Sequence, residues 1–423
     1  MRIKSEIVLR VTCCCAFVLG LAACAATSRK KTEMLKARHL SKLIASAAFA
    51  VFLSFGGDRA EALYDVGSKE IPGRPGTIIR VWPLVGGGPG NSHAYRFLYR
   101  STGLKGETIP VSGAIFIPSG PAPAGDRNVI AWAHPTSGVA PECAPSLYPD
   151  RAGMIWNLAD MLRHGYVVVA TDYPGLGTEG VHPYLIGESA GRAVLDSVRA
   201  ARQFRKGGAS NRFAVWGHSE GGHAALFTGQ LAARYAPELK LVGVAAAAPA
   251  TSLVDLFEDD VATEQSIFAM ALLSWSRLYN ISPATIMEPS KIPAFYKTAR
   301  DCLTSIDQIL ALMRDQKPLQ AGKMFKFDPT KTEPWKGIML RNAPGQARAG
   351  APVFIAQGTA DKTVDPQVTR RFAKALCAKG ERVLFVKLPG VVHIFAARDS
   401  APTAIKWMND RFKGLPAPSS CRR

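Results

Sequence analysis

Several signatures of common protein classes are missing from this chain of 423 residues. The four cysteines that follow residue 62 include no C-x-x-C pair, so nothing favours a zinc site or thioredoxin-like chemistry. The sequence has no internal repeat and no low-complexity tract. Its basic residues give a formal net charge of +19, but they are scattered and form no helical stripe. We therefore expect no nucleic-acid partner.

The chain also lacks an apolar run long enough to be a clear membrane span. Two shorter, Ala-rich runs, residues 7–23 and 43–55, each follow basic residues, as in export signals. The first ends in L-A-A-C at Cys24, which is typical of a lipidated precursor, and the second is followed by an A-x-A site that ends at Ala62. A precursor needs only one export signal. We therefore interpret Met34, which lies just before the second basic stretch, as the true start. The prediction is export with cleavage near Ala62, and lipidation of Cys24 is the alternative.

Apolar strand patterns and helical patterns alternate along the rest of the chain. Residues 128–133 and 166–170 are short buried-strand runs, while residues 152–164, 190–204 and 403–412 have helical periodicity. With 47% hydrophobic and 20% charged residues, the composition is that of a globular protein. The predicted fold class is α/β, with a mostly parallel sheet covered by helices on both faces.

One connection in this pattern is far too long for an ordinary helix-to-strand loop. About 100 residues separate two consecutive core strands, where a few residues are usual. We therefore predict a leader at residues 1–62, a core in two parts at residues 63–250 and 351–423, and an inserted helical cap at residues 251–350. The cap is expected to cover the functional site. The alternative is a side domain with no role in substrate entry.

The stretch Gly217–Gly221 reads G-x-S-x-G, and its surroundings suit a nucleophile elbow. Apolar residues 212–216 predict a strand before it, and residues 222–227 open a helical pattern after it. Such a strand–turn–helix context exposes a serine at the tip of a strained turn, where only glycine fits on either side. Ser219 is therefore the predicted nucleophile.

A serine nucleophile needs a base and an acid that orients the base, in the chain order Ser, Asp or Glu, His. Asp361 follows the apolar strand at residues 352–356 and is the predicted acid; Asp365 is its competitor. His393 follows another strand and is the single histidine that comes after both the serine and the acid. It is the predicted base.

An oxyanion hole needs two N–H donors. One is expected to be the backbone N–H of Glu220, directly after the nucleophile. The other should come from Thr136 or Ser137, after the strand that holds Trp132, since Pro135 has no N–H.

In an oxidising compartment the four later cysteines predict two disulfides, and the spacing alone leaves three pairings open. They are Cys143, Cys302, Cys377 and Cys421.

Several stretches together resemble the secretory lipase family, the lipase A type of the α/β-hydrolase superfamily. The resemblance spans about residues 95–421 and is carried by residues 132–146 with C-A-P-S at the end, 165–172, 193–200, 235–239 and 377–380. It implies Ser219, Asp361 and His393 as the triad. It also implies the disulfide pairs Cys143–Cys302 and Cys377–Cys421, and a cap that supplies an acyl tunnel.

The predicted function is a secreted serine ester hydrolase, a triacylglycerol lipase or carboxylesterase that works through an acyl-enzyme on Ser219. The substrate is a small-molecule or lipid ester, and contact with a lipid interface through the cap is a further expectation. The chemistry calls for no metal or organic cofactor, and no obligate protein partner is evident. A serine peptidase or a polysaccharide-linked esterase is the alternative, kept open by four acidic residues at the start of the cap: Asp255, Glu258, Asp259 and Asp260. A non-catalytic envelope binding protein is a third interpretation.

Overall fold

A single sheet of nine strands runs through the part of the chain that the structure describes. The structure is a computed structural model, and it describes residues 64–84, 86, 88–124, 126–148, 150–263 and 266–421. The predicted leader, with the Met34 start, the cleavage near Ala62 and the alternative at Cys24, lies outside the described residues. Within the described ranges, no helix combines the length and apolarity that a bilayer span needs.

The sheet is antiparallel at one edge and parallel over the rest. Its spatial order is β1-β2-β3-β5-β4-β6-β7-β8-β9; the pairs from β1 to β5 are antiparallel and those from β5 to β9 are parallel. The strands are β1 (Ile78–Pro83), β2 (His93–Thr102), β3 (Thr108–Ile117), β4 (Arg127–Ala133), β5 (Val167–Thr171), β6 (Ala209–His218), β7 (Lys240–Ala247), β8 (Val353–Gly358) and β9 (Val383–Leu388).

Helices cover both faces of the sheet, which confirms the predicted fold class. Two helices pack on one face, α1 (Leu158–Arg163) and α11 (Ala396–Phe412), and three pack on the other, α2 (Gly187–Gln203), α3 (Glu220–Tyr235) and α10 (Pro366–Ala378). Strand β4 shows why: Val129 and Ala131 join the apolar cluster of one face, and Ile130 and Trp132 join that of the other. A strand buried on both faces needs such a continuous apolar run.

In the described residues between β7 and β8, six further α-helices pack around an apolar cluster of their own. That cluster includes Val139, Tyr184 and Val364, which stand on the loops after β4, β5 and β8, so the insert packs on the carboxyl edge of the sheet. The described residues form one compact unit, and the domain boundaries drawn at residues 250 and 350 stay a prediction. The helices are α4 (Leu253–Thr263), α5 (Ser266–Tyr279), α6 (Ile292–Thr298), α7 (Ile306–Asp315), α8 (Lys317–Gln320) and α9 (Trp335–Arg341).

Two predicted helices have wrong boundaries. Only the last part of residues 152–164 is α-helical, because Asn157 takes a left-handed conformation with φ 59° and α1 begins after it. The closing helix α11 begins at Ala396 rather than 403, and Pro402 lies inside it. Proline commonly interrupts a helix because it lacks an N–H, but Pro402 is accommodated near the start of α11.

Candidate active site

The turn between β6 and α3 presents Ser219 in a strained conformation. Its φ of 56° and ψ of −117° lie outside the regions that most residues adopt. A Cβ added to Gly217 would overlap the carbonyl of Gly221, and one added to Gly221 would overlap the carbonyl of Ala133. Both glycines of the motif are therefore required by the close approach of backbone segments, as the motif predicts.

His393 lies on the loop after β9 and bridges the serine and an acid. Its Nε2 is 2.9 Å from the Oγ of Ser219, and its Nδ1 is 2.8 Å from the Oδ2 of Asp361. The imidazole is 12% exposed, whereas the Asp361 side chain is fully enclosed. The structure thus brings together the three residues that the sequence predicts, in the geometry of a nucleophile, a base and an orienting acid.

Asp361 is held by four donors. Its Oδ1 accepts the backbone N–H groups of Thr363 and Val364, both at 2.9 Å, and its Oδ2 accepts from His393 and from the Nε2 of Gln357, the latter at 2.9 Å. Burial by itself raises the pKa of this carboxyl, but the hydrogen bonds from His393 and the two backbone amides outweigh it and hold the pKa below its usual value. Asp361 is therefore a stable carboxylate.

Asp365, the competing acid, has another role. It caps α10, where its side chain accepts the N–H of Gln367 at 2.9 Å. An aspartate at this position satisfies a free helix N–H. The structure brings Asp361, and not Asp365, to His393.

A second histidine supports the first. The ring of His218, the residue before the serine, donates from Nε2 to the backbone carbonyl of His393 at 3.0 Å. Burial, together with the nearby His393, lowers the pKa of His218 to about 3, so its ring is neutral in ordinary conditions. The sequence prediction missed both His218 and Gln357. The signals were a histidine inside the G-x-S-x-G motif and a polar residue that ends an apolar strand.

The predicted oxyanion residues follow two neighbouring strands of the sheet, β4 and β6. Glu220 is the first residue of α3, where backbone N–H groups and the helix dipole favour negative charge. Thr136 and Ser137 lie on the loop after β4. The Thr136 hydroxyl is 2.8 Å from the Tyr184 hydroxyl, and the Ser137 carbonyl accepts the N–H of Leu303 at 2.8 Å. The loop is thereby tied to the insert.

The structure contains both disulfides that the resemblance implies, which confirms their pairing. Cys143–Cys302 joins the segment after β4 to the insert across 159 positions, and Cys377–Cys421 joins α10 to the C-terminal segment across 44 positions. In the described part of the chain, no group of three or more His, Cys, Asp or Glu residues could hold a metal ion.

The fold is that of a known class. The chain is similar in structure to Candida antarctica lipase A, with a TM-score of 0.70 and 20% sequence identity over 85% of this chain and 87% of that one. Such a likeness identifies the fold, which is the α/β-hydrolase fold. Residues 154–420, more than half of the chain, match the family described as secretory lipase. The chain belongs to the secretory lipase family.

Relatives in sequence agree with this family. A protein named "Lipase A" from Moesziomyces aphidis is 24% identical over an alignment of 427 positions, which covers 91% of this chain and 89% of that protein. Another, from Mycobacterium tuberculosis, is 24% identical over 81% of this chain and 79% of its own length, and is named "Probable inactive lipase". Membership in a secretory family supports export, as do the two disulfides.

Proposed function

We propose that this chain is an exported serine hydrolase that cleaves carboxylic esters of lipids through an acyl-enzyme on Ser219. The observation that carries the proposal is the continuous hydrogen-bonded chain from Ser219 through His393 to Asp361, with separations of 2.9 and 2.8 Å. Nucleophile and base lie within hydrogen-bond reach, and the base is oriented by a third group, as acyl transfer requires.

The reaction runs in two halves on these residues. His393 Nε2 takes the hydroxyl proton as Ser219 Oγ attacks the ester carbonyl, and the imidazolium then gives that proton to the leaving alcohol. A water molecule next loses a proton to His393, attacks the acyl-enzyme and releases the acid, while Ser219 regains its proton. Asp361 stays ionised throughout, orients the ring and stabilises the imidazolium.

Each half-reaction passes through a tetrahedral oxyanion. In our proposal the N–H of Glu220 is one donor to this oxygen, and a group on the loop at Thr136 or Ser137 is the other. Glu220 directly follows Ser219 and is the first residue of α3, which supports the first assignment.

The acidic residues at the start of the insert do not favour a peptidase. Asp255 forms an ion pair with Arg371 at 3.2 Å, and Glu258 lies 3.8 Å from Lys331, so each has a cation of the protein beside it. The side chains of Asp259 and Asp260 lie outside the described residues. These neighbouring positive charges reduce the negative potential that would attract the free amino group of a peptide. Together with the lipase family, this favours esters.

A further part of the proposal is contact with a lipid surface through the insert. Helix α7 exposes an apolar face at positions i, i+3, i+4 and i+7, with exposed fractions from 41% to 76% at Ile306, Ile309, Leu310 and Met313. Helices with such a face and basic neighbours lie in lipid interfaces. The exposed Arg300, six residues before the start of α7, and the exposed Lys317, two residues after its end, add positive charge near this helix and suit an anionic surface.

The test is a panel of esters with rising acyl length and one aminoacyl amide, measured with the wild-type chain and with Ser219→Ala. We expect hydrolysis of the esters, with little or none of the amide, and loss of turnover in the variant by about 10³-fold or more. A preference for the amide, or full ester turnover by Ser219→Ala, contradicts the proposal.

We also propose that export removes the leader near Ala62. Mass spectrometry of the exported protein should find an N-terminus at Leu63. An intact N-terminal segment lipidated at Cys24 contradicts this maturation and supports a lipoprotein.

A further inference from the structure

The short segment His182-Pro183-Tyr184, between β5 and α2, touches both sides of the proposed oxyanion hole. We propose that His182 and Tyr184 are positioning residues for acyl transfer, and that helix α5 of the insert sets their place. His182 holds the side chain of Glu220, and Tyr184 holds the side chain of Thr136. This inference rests on the proposed function, because it assigns a role to the surroundings of the same oxyanion hole.

The first contact joins two buried ionisable side chains. His182 Nε2 lies 3.2 Å from the Oε1 of Glu220, and the two side chains are 2% and 3% exposed. On the other side of the ring, Nδ1–H donates to the carbonyl of Pro174 at 2.9 Å, since a carbonyl can only accept. A hydrogen bond between Nε2 and Oε1 therefore requires a second proton, carried either by the imidazole or by the carboxyl group. Such a bond fixes the residue whose backbone N–H faces the oxyanion.

The second contact reaches the opposite loop. The Tyr184 hydroxyl is 2.8 Å from the Thr136 Oγ1, and the tyrosine is buried. Thr136 follows β4, whereas Glu220 begins α3, so the two proposed donor sites come from separate parts of the sheet. The segment at residues 182–184 is in contact with both, and it thereby relates one to the other.

The insert holds this segment by its backbone. The Ser274 hydroxyl donates to the His182 carbonyl at 2.6 Å and accepts the N–H of Tyr184 at 3.0 Å, and the indole N–H of Trp275 donates to the Tyr184 carbonyl at 2.9 Å. Both residues lie on α5 and are buried. Polar backbone groups at such depth are costly to leave unpaired, so these three bonds resist any shift of the segment.

Backbone strain next to the segment agrees with tight anchoring. Leu185 has a φ of 55°, and a Cβ on Gly175 would overlap the backbone of His182. A left-handed conformation at a leucine persists only when the surrounding structure holds it in place. The segment is therefore rigid, as an element that positions other groups has to be.

The expected kinetic consequence is specific. Oxyanion donors stabilise the transition state more than the bound substrate, so disturbing their positions lowers kcat and leaves KM nearly unchanged. A thionoester, whose carbonyl oxygen is replaced by the weaker acceptor sulfur, depends less on these donors. The ratio of kcat/KM for an ester to kcat/KM for its thionoester thus reports on the oxyanion hole itself.

The principal variant is Tyr184→Phe, which removes one hydroxyl and keeps the ring. We expect kcat for the ester to fall about 10-fold with KM within about 2-fold, and the ester-to-thionoester ratio to fall with it. The matched control is Tyr166→Phe, which loses a hydroxyl bonded to Asn409 at 2.9 Å on the face of α1 and α11. The control should keep both wild-type values. Active-site titration with a fluorophosphonate normalises every rate to folded, reactive enzyme.

Three further variants separate positioning from general structure. Glu220→Gln keeps an amide donor for the Nε2 of His182 and should retain most of the ratio, whereas Glu220→Ala should lose it. Ser274→Ala, in the insert, should change the ratio in the same direction as Tyr184→Phe but less.

The outcomes separate this inference from the proposed function. An active wild-type chain whose Tyr184→Phe variant keeps the wild-type kcat and ratio overturns the positioning role alone. A wild-type chain that hydrolyses no ester overturns both. A fall in rate that only follows the titrated fraction of active enzyme also contradicts the positioning role.

Discussion

The carboxyl edge of the sheet and the insert that packs on it are built by different rules. At the sheet edge, Ser219, Asp361 and His393 each follow a strand, and the parallel order of β6, β8 and β9 brings them to one side. The insert between β7 and β8 consists of helices packed around their own apolar cluster, and within the described residues it adds no strand to the sheet. Strand order determines the chemistry, whereas local helix packing determines what surrounds it.

The largest expected effect tests the sheet edge. Asp361→Asn should lower kcat by about 10³- to 10⁴-fold, because the amide cannot stabilise the imidazolium and favours the wrong tautomer of His393. Asp365→Asn is the matched control, since asparagine caps a helix as well as aspartate and should leave kcat within about 2-fold. Steady-state kinetics on a soluble ester compares the two. Equal losses in both variants would remove the distinction that the geometry draws between these aspartates.

A pH series sharpens the same comparison. The pKa of Asp361 is lower in the folded protein than its ordinary value, so its ionised form stabilises the fold. That stabilisation is present above the unfolded pKa of about 4 and is lost as the pH falls through the folded pKa. The difference in unfolding free energy between the wild type and Asp361→Asn, measured with urea, should therefore shrink in acid. A difference that grows as the pH falls contradicts the assignment.

The smallest expected effect concerns the insert and its binding to a lipid surface. The double variant Leu310→Ser/Met313→Ser, on the exposed face of α7, should weaken binding to vesicles of phosphatidylcholine and phosphatidylglycerol by about 10-fold. Its kcat/KM on a dissolved short ester should stay within about 2-fold of the wild type. The control is Leu415→Ser, an exposed leucine that follows α11. Equal vesicle binding by all three proteins would show that α7 has no part in the lipid contact.

The sequence was most informative at the sheet edge for a physical reason. A strained turn needs glycines at set positions, and parallel strands deliver their following loops to the same edge, so the motif and the chain order predict Ser219, Asp361 and His393 together. Asp361 and Asp365 both follow β8 by a few residues, so the sequence prefers Asp361 but keeps Asp365 as a competitor, and the hydrogen bond to His393 distinguishes them. The disulfide pairing also went beyond the cysteine spacing and came from the family resemblance.

The contacts around the proposed oxyanion hole could not be predicted, because they join segments that are far apart in the chain. The contacts of His182 and Tyr184 join the loop after β4, the start of α3 and helix α5, and no local pattern relates these three. The predicted starts of α1 and α11 were wrong for local reasons. Asn157 adopts a left-handed conformation that composition does not reveal, and Pro402 is accommodated inside α11.

The central claim is that Ser219 is a nucleophile activated by His393. The most direct measurement is treatment of the folded wild-type chain and of Ser219→Ala with a fluorophosphonate, followed by intact-mass and peptide mass spectrometry. The account predicts a single phosphonyl adduct, located on Ser219, that abolishes ester hydrolysis in proportion to labelling, and no adduct on the variant. A folded wild-type chain that stays unlabelled, or carries the adduct on another residue, would contradict it.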